Sequence, residues 1–362
     1  MGIKAYFNEM SSVKKEISEI KEIKEFKPPK KKAIKGFLSR TKYAVKLIFL
    51  EKELITFALL QWMCVALGYY LWVQMIGWIP ESVWESAAES NEGSIADIIL
   101  FCWSFVCVGV VAFPIGILSA CMGAVHFLHK QGKESTIAAC FKIVMPKAWP
   151  LWIFSWIDGW WTVIRILDRL PKKNDRRTPA QKALSEALYY AWKVGTIGIL
   201  PALVTGRGLI DAGKHSISMV KHKFKDVATL RLGYSALCWI VGIAAYIGSI
   251  FFFIAFPDLV KWNQGVASQM FAIYFWLAVP IIIAVGIVML FLRPIYLISA
   301  CDIYSDFIKE KGEALMLPKP PSKGMSALVV FLIVCLIVLI VFLYRQELGI
   351  MNMLATPYGE GN

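Results

Sequence analysis

The chain has 362 residues, of which 57% are apolar and 14% aromatic, and a formal net charge of +13. That apolar share exceeds what soluble domains carry and excludes an ordinary water-soluble fold. The positive charge lies between apolar runs with no nucleic-acid-binding motif, so it points to membrane topology and anionic headgroups rather than to DNA or RNA.

Residues 1–46 form a basic segment. Val13, Ile17, Ile20, Ile23 and Phe26 fall at helical spacing among Lys and Glu, which predicts an amphipathic helix. Pro28-Pro29 ends it, and Lys30, Lys31 and Lys32 follow as candidate headgroup contacts. The first apolar run starts near Leu47 and is too long for a signal peptide, and Tyr6 stands where a myristoylation site needs Ser or Thr.

Five uncharged stretches reach the roughly 20 residues that a bilayer core requires. They are Leu54–Pro80, Ile98–Val125, Leu232–Pro257, Trp262–Leu292 and Gly324–Tyr344. Residues 1–53 hold fourteen Lys/Arg against seven Asp/Glu, so the N-terminus is expected inside. The acidic loop Glu81–Asp97, without Lys or Arg, is expected outside, and the C-terminus emerges outside. A bacterial cytoplasmic membrane is the expected location.

The middle of the chain is less regular. Trp149, Trp152, Trp156 and Trp160 recur at steps of three and four, one stripe of a helix suited to a headgroup boundary or to a lipid- or ligand-binding wall. Ala148–Leu167 and Leu184–Thr205 flank the basic run Asp168–Arg177. Asp158 and Lys193 interrupt their apolar windows, so both are expected as interfacial or re-entrant helices on the cytoplasmic side, with a spanning hairpin as the alternative. Gly206-Arg207-Gly208 is expected as a tight turn opening an amphipathic helix over Leu209–Phe224, not as a phosphate loop.

An internal duplication is visible at an offset of 180. Pro114-Ile115 and Ser119-Ala120-Cys121 recur as Pro294-Ile295 and Ser299-Ala300-Cys301, Phe127 matches Phe307, and Gly132 matches Gly312. Both copies run in–out–in, which predicts parallel repeats. In the second copy Arg293 stands where the first has Phe113. An arginine within an apolar stretch either snorkels or meets a carboxylate such as Asp302 or a lipid phosphate.

Trp192, the run Leu200-Pro201-Ala202-Leu203-Val204, Gly206, Gly208-Leu209-Ile210-Asp211-Ala212, Lys214, Ser216 and Met219-Val220-Lys221 together resemble the central signature of a family of polytopic bacterial and archaeal membrane proteins with no assigned function. The resemblance covers about residues 40–300, departs at Thr205, where an acidic residue is common, and implies a fold but no chemistry.

Chemistry itself is sparse. The four histidines form no HExxH, the eight cysteines no CxxC, and no GxSxG appears. No cofactor, metal or catalytic residue is expected. The fold expected is an all-α polytopic membrane helix bundle, with about five spans in two parallel internal repeats plus cytoplasmic amphipathic or re-entrant helices. Its parts are a basic segment (1–46), a first repeat (47–135), Trp-rich helices (136–206), a second repeat (207–315) and a final span with a short tail (316–362). The expected function is that of a non-enzymatic membrane scaffold or accessory subunit. It would bind anionic lipids and dock protein partners or further copies through its cytoplasmic helices. The alternative is a transporter or channel for lipids or other amphiphiles.

Overall fold

The computed structural model describes residues 31–76, 95–169, 179–255 and 280–313, with Leu317. The N-terminal amphipathic segment, Lys30, the acidic loop, the basic run 170–178 and the last span lie outside them. The described residues contain helices and no strands. In chain order these are α1 (Lys31–Leu50), α2 (Lys52–Ile76), α3 (Ile95–Lys130), α4 (Ile137–Val144), α5 (Ala148–Arg169), α6 (Pro179–Gly195), α7 (Ile199–Val204), α8 (Leu209–Ala255) and α9 (Arg293–Glu310). A π-turn at Val288–Leu292 leads into α9.

Six described segments are long and apolar enough to cross a membrane: Lys52–Trp72, Phe101–Lys130, Ile137–Arg165, Leu184–Val204, Leu209–Phe252 and Pro280–Glu310. Two of them, Ile137–Arg165 and Leu184–Val204, cover the helices expected as interfacial or re-entrant, for which a spanning hairpin was the alternative. Asp158 does not break α5, because Lys193 Nζ on α6 closes it at 2.6 Å. A charge read one segment at a time looks like an interruption; paired across two helices it is carried inside the bundle.

The helix pairs α2–α3, α3–α5 and α5–α6 run antiparallel. Between α2 and α3, Gln61 donates to the Ile115 carbonyl at 3.1 Å and Trp72 to Ser104 Oγ at 2.9 Å. Between α3 and α5, the indole N–H of Trp152 donates to the Gly109 carbonyl at 2.7 Å, that of Trp156 to Phe105 at 3.1 Å, and the Trp160 ring meets Phe101 at 5.1 Å. Gly116 lets these two helices close, since a Cβ there would stand 3.0 Å from the Leu151 carbonyl oxygen. Between α5 and α6, Asp158 meets Lys193 and Arg165 meets Glu186 at 2.6 Å, seven residues on in one helix and seven back in the other.

The packed centre lies toward the Lys130 end. Cys121, Met122, Ala124, Val125, Phe127, Cys301, Ile303 and Tyr304 are all fully buried, with Leu47 of α1 and Leu203 of α7 against them. Both helices that build this centre end alike. Gly132 and Gly312 take φ of +66° and +70°, the left-handed conformation that glycine adopts at least cost. Lys133 N–H then bonds the Leu128 carbonyl at 3.0 Å, as Glu313 N–H bonds Ile308 at 3.1 Å. The turn expected at Gly206 is present with φ +94°, and α8 starts at Leu209. α8 is two helical stretches joined at a kink at Lys223, whose φ of −113° and ψ of 28° are not helical, the amphipathic part before it and the apolar part after.

Candidate functional site

Two polar assemblies interrupt this apolar bundle. The first sits where α3 and α9 finish. Asp302 and Asp306 are four residues apart, hence on one face of α9. Arg40 of α1 reaches them at 3.3 and 3.1 Å and reaches Asp226 of α8 at 3.5 Å. Lys130 closes the other oxygen of Asp302 at 2.6 Å. The forked guanidinium is suited to several carboxylates at once. Burial alone would pull the Arg40 pKa down, but Asp226, Asp306 and Asp302 outweigh it and hold it above its ordinary value. Lys223 with Glu310 and Arg207 with Glu313 add two more ion pairs at this end. Glu51, in the break between α1 and α2, accepts from Ser135 and lies 2.7 Å from His129 Nδ1. Beside them His126 is fully buried, its Nδ1 3.4 Å from the Tyr43 hydroxyl and its Nε2 without a partner among the described residues.

The second assembly lies farther from that end. Gln61 is fully buried and donates to Ser119 Oγ at 2.7 Å. Arg293 donates to the same oxygen at 3.1 Å and to Met289 Sδ at 3.5 Å. The proline after Arg293 and the π-turn before it loosen the helix where this arginine enters the bundle. Asp158 accepts from Lys193 and, at 3.1 Å, from the Trp192 indole. Lys193 and Arg165 flank the Tyr189 ring at 5.7 and 5.8 Å. Arg231 of α8 stands 6.0 Å from the Tyr296 ring, which packs on Tyr234 at 4.5 Å.

Arg293 does not pair with Asp302. The two are nine residues apart, about 14 Å along the axis and on opposite faces of the helix, and Asp302 is held by Arg40 and Lys130 instead. Trp152, Trp156 and Trp160 turn toward α3, and Trp149, 38% exposed, packs on Trp152 at 5.4 Å. The stripe is thus an interhelical seam as much as a boundary belt. Its outer side, with Phe105, Ile153, Ile157, Trp161 and Ile164, lines an apolar groove of about 210 Å³. Lys31 and Lys32 open α1.

Arg40 and the Asp158–Lys193 pair were missed as site residues. The signal for the first was the Asp302/Asp306 spacing, which presents two carboxylates on one helix face and asks for a cation. The second had no local signal, since its partners are 35 residues apart in sequence.

Fold and site together define a helical membrane protein with a charged, tightly packed end. No protein family, curated protein or solved structure matches the chain.

Proposed function

We propose that this chain is a non-enzymatic integral membrane scaffold or accessory subunit of a bacterial cytoplasmic membrane. It crosses the membrane seven times, with the N-terminus inside and the C-terminus outside. Kinship with the polytopic family resembled by residues 192–221 belongs to the same reading.

The span count rests on the α3–α5 seam. From Gly116 to Phe101, α5 accompanies α3 over about 23 Å, most of a bilayer core of about 30 Å. An interfacial helix would cross α3 rather than follow it. α6 then returns beside α5, and the six described segments alternate in direction. Counting Gly324–Tyr344 as the last span gives seven, and the ends keep the sides that five spans would give them. This puts the basic run Asp168–Arg177 outside, against the usual charge bias; the pairing of Asp158 and Arg165 with α6 supplies the opposing preference.

The observation that carries the scaffold reading is the contrast between a filled centre and an exposed apolar face on a helix at its rim. Side chains occupy the middle of the bundle. On the first half of α8, Ile210, Ile217 and Phe224 are 76%, 53% and 43% exposed, with exposed Lys214 on the same face. An apolar stripe edged with lysine suits an anionic membrane surface or a partner helix. The two parallel repeats belong to this proposal as well. Shared cap hydrogen bonds at Gly132 and Gly312 support them, as does the match of 31–76 to α8 at an offset close to 180.

Gentle native purification with mass spectrometry of the bound proteins tests the reading. A defined protein partner or a stable oligomer is expected, and Ile217→Glu should reduce its recovery several-fold with the chain still monodisperse. A monomer without protein partners, unaffected by Ile217→Glu, contradicts it. The groove beside Trp156 and Trp160 favours the second reading, a carrier of amphiphiles. Under that reading the pure chain moves lipid between vesicle leaflets.

A further inference from the structure

At the second polar assembly, three cations from three helices face a single carboxylate. Arg231 and Arg293 are both within electrostatic reach of Lys193. Among the described residues the carboxylate within such reach of Arg293 is Asp158, and Lys193 already closes that one at 2.6 Å. Among the described residues Arg293 has the neutral Ser119 Oγ and Met289 Sδ as its hydrogen-bond partners, although a guanidinium carries five N–H donors. Arg231 lies 6.0 Å from the Tyr296 ring, again a neutral neighbour.

Depth makes this arrangement costly. Ser119, which Arg293 touches, lies about 16 Å up α3 from Lys130. Like charges repel strongly in a medium of low polarity, and a buried charge without a counter-ion is expensive. The polar end shows how this chain deals with cations elsewhere, where Arg40 meets three aspartates. Here the residues supply two more positive charges than negative ones and frame them with Tyr234 and Tyr296.

We propose that Arg231, Arg293 and Lys193 form a binding site for an oxyanion, the phosphate or carboxylate head of an anionic amphiphile. Forked guanidinium groups suit both kinds of head. All three cations are half-buried, so each retains some exposed surface. Trp239 and Ile240 on α8, and Ile281, Ile282 and Val285 ahead of the π-turn, are exposed, an apolar surface for a tail. This inference uses the membrane reading of the helices but not the scaffold reading. Loss of lipid discrimination with partners unchanged sinks the site alone, and loss of partners with discrimination intact sinks the scaffold alone.

The test is thermal unfolding of the full chain in a neutral detergent. The additives are dioleoyl phosphatidylglycerol, dioleoyl phosphatidylcholine, oleate or inorganic phosphate. Native mass spectrometry counts the bound molecules. Phosphatidylglycerol should raise the midpoint by several degrees and remain bound at one per chain, while phosphatidylcholine does neither. Arg293→Gln and Arg231→Gln should each cut the rise to a third or less. Lys214→Gln, on the exposed face of α8, should keep it. A rise with oleate alone supports the site with a fatty carboxylate as its ligand, and a rise with inorganic phosphate alone supports it with a free anion. Should Arg293→Gln not fold, Arg231→Gln and Arg293→Lys carry the comparison, the lysine keeping part of the rise. Equal rises with both phospholipids, or an unchanged rise in Arg231→Gln and the folded Arg293 variant, overturn the proposal.

Discussion

In the Phe101–Lys130 segment 61% of the most apolar window is buried, against 6% in Leu209–Phe252, although both are apolar enough to cross a membrane. The first runs into a centre closed by Phe127, Tyr304 and Leu203 and tied down by Arg40. The second presents Leu232, Trp239, Ile243 and Phe251 outward along its length. Apolar residues hold the two regions by different means. At the packed end they gain from leaving water and from close contact. Along α8 the lipid is as apolar as they are, so exposure there costs little and burial would gain little. The bundle is therefore anchored at one end, and its apolar flanks are free to meet lipid or other chains.

The sharpest way to break this comparison is to cut into both regions equally. Phe127→Ala at the packed centre should cost about 3–5 kcal/mol, whereas Trp239→Ala on the lipid-facing flank should stay within about 0.5 kcal/mol. Reversible denaturation in mixed micelles reads both. Similar losses at the two sites would mean that the flank is packed against something in the isolated chain.

Next comes the charged tie. Arg40→Met leaves Asp226, Asp302 and Asp306 facing one another with Lys130 as their remaining cation. It should cost about 1.5–3 kcal/mol, by analogy with hydrogen bonds to charged groups. The Arg40 side chain is 18% exposed, so added salt should narrow the gap between wild type and variant. A loss below 0.5 kcal/mol at low salt would make the cluster a surface ornament.

A smaller effect concerns the hairpin. Asp158→Asn and Lys193→Met should each destabilise more than the double variant does. The coupling should be about 0.5–3 kcal/mol, because removing one partner strands the other inside the bundle. Additive losses would place the pair in contact with water and favour a surface hairpin.

Much of the fold was legible in the sequence because length and apolarity are local properties. Leu54–Pro80 and Ile98–Val125 needed no knowledge of neighbours to be read as helices of spanning length. The turn at Gly206 was legible for the same reason, since the residue type and the backbone conformation coincide at one position. The contact between α5 and α6 was not. Asp158 and Lys193 each look like a break in a short apolar window, and only their contact removes both charges from the count. Arg293 was recognised as a candidate, but the carboxylate offered for it, beside snorkelling or a lipid phosphate, was suggested by nearness in sequence. Nine residues along a helix carry Asp302 to the opposite face, where Arg40 from a distant part of the chain meets it. The tryptophan stripe was seen as a stripe, while its direction toward α3 depended on carbonyls of Phe105 and Gly109 that no local pattern marks.

The path of α5 and α6 across the bilayer is the central claim, and side-specific labelling tests it most directly. Single cysteines at Ser90 and at Asn174, in a background without the eight native cysteines, are exposed on intact spheroplasts to an impermeant maleimide. Seven spans put both positions outside, so both should label without lysis. Labelling of Ser90 alone, with Asn174 reacting only after the membrane is opened, would put the basic run inside and contradict the crossing of α5 and α6.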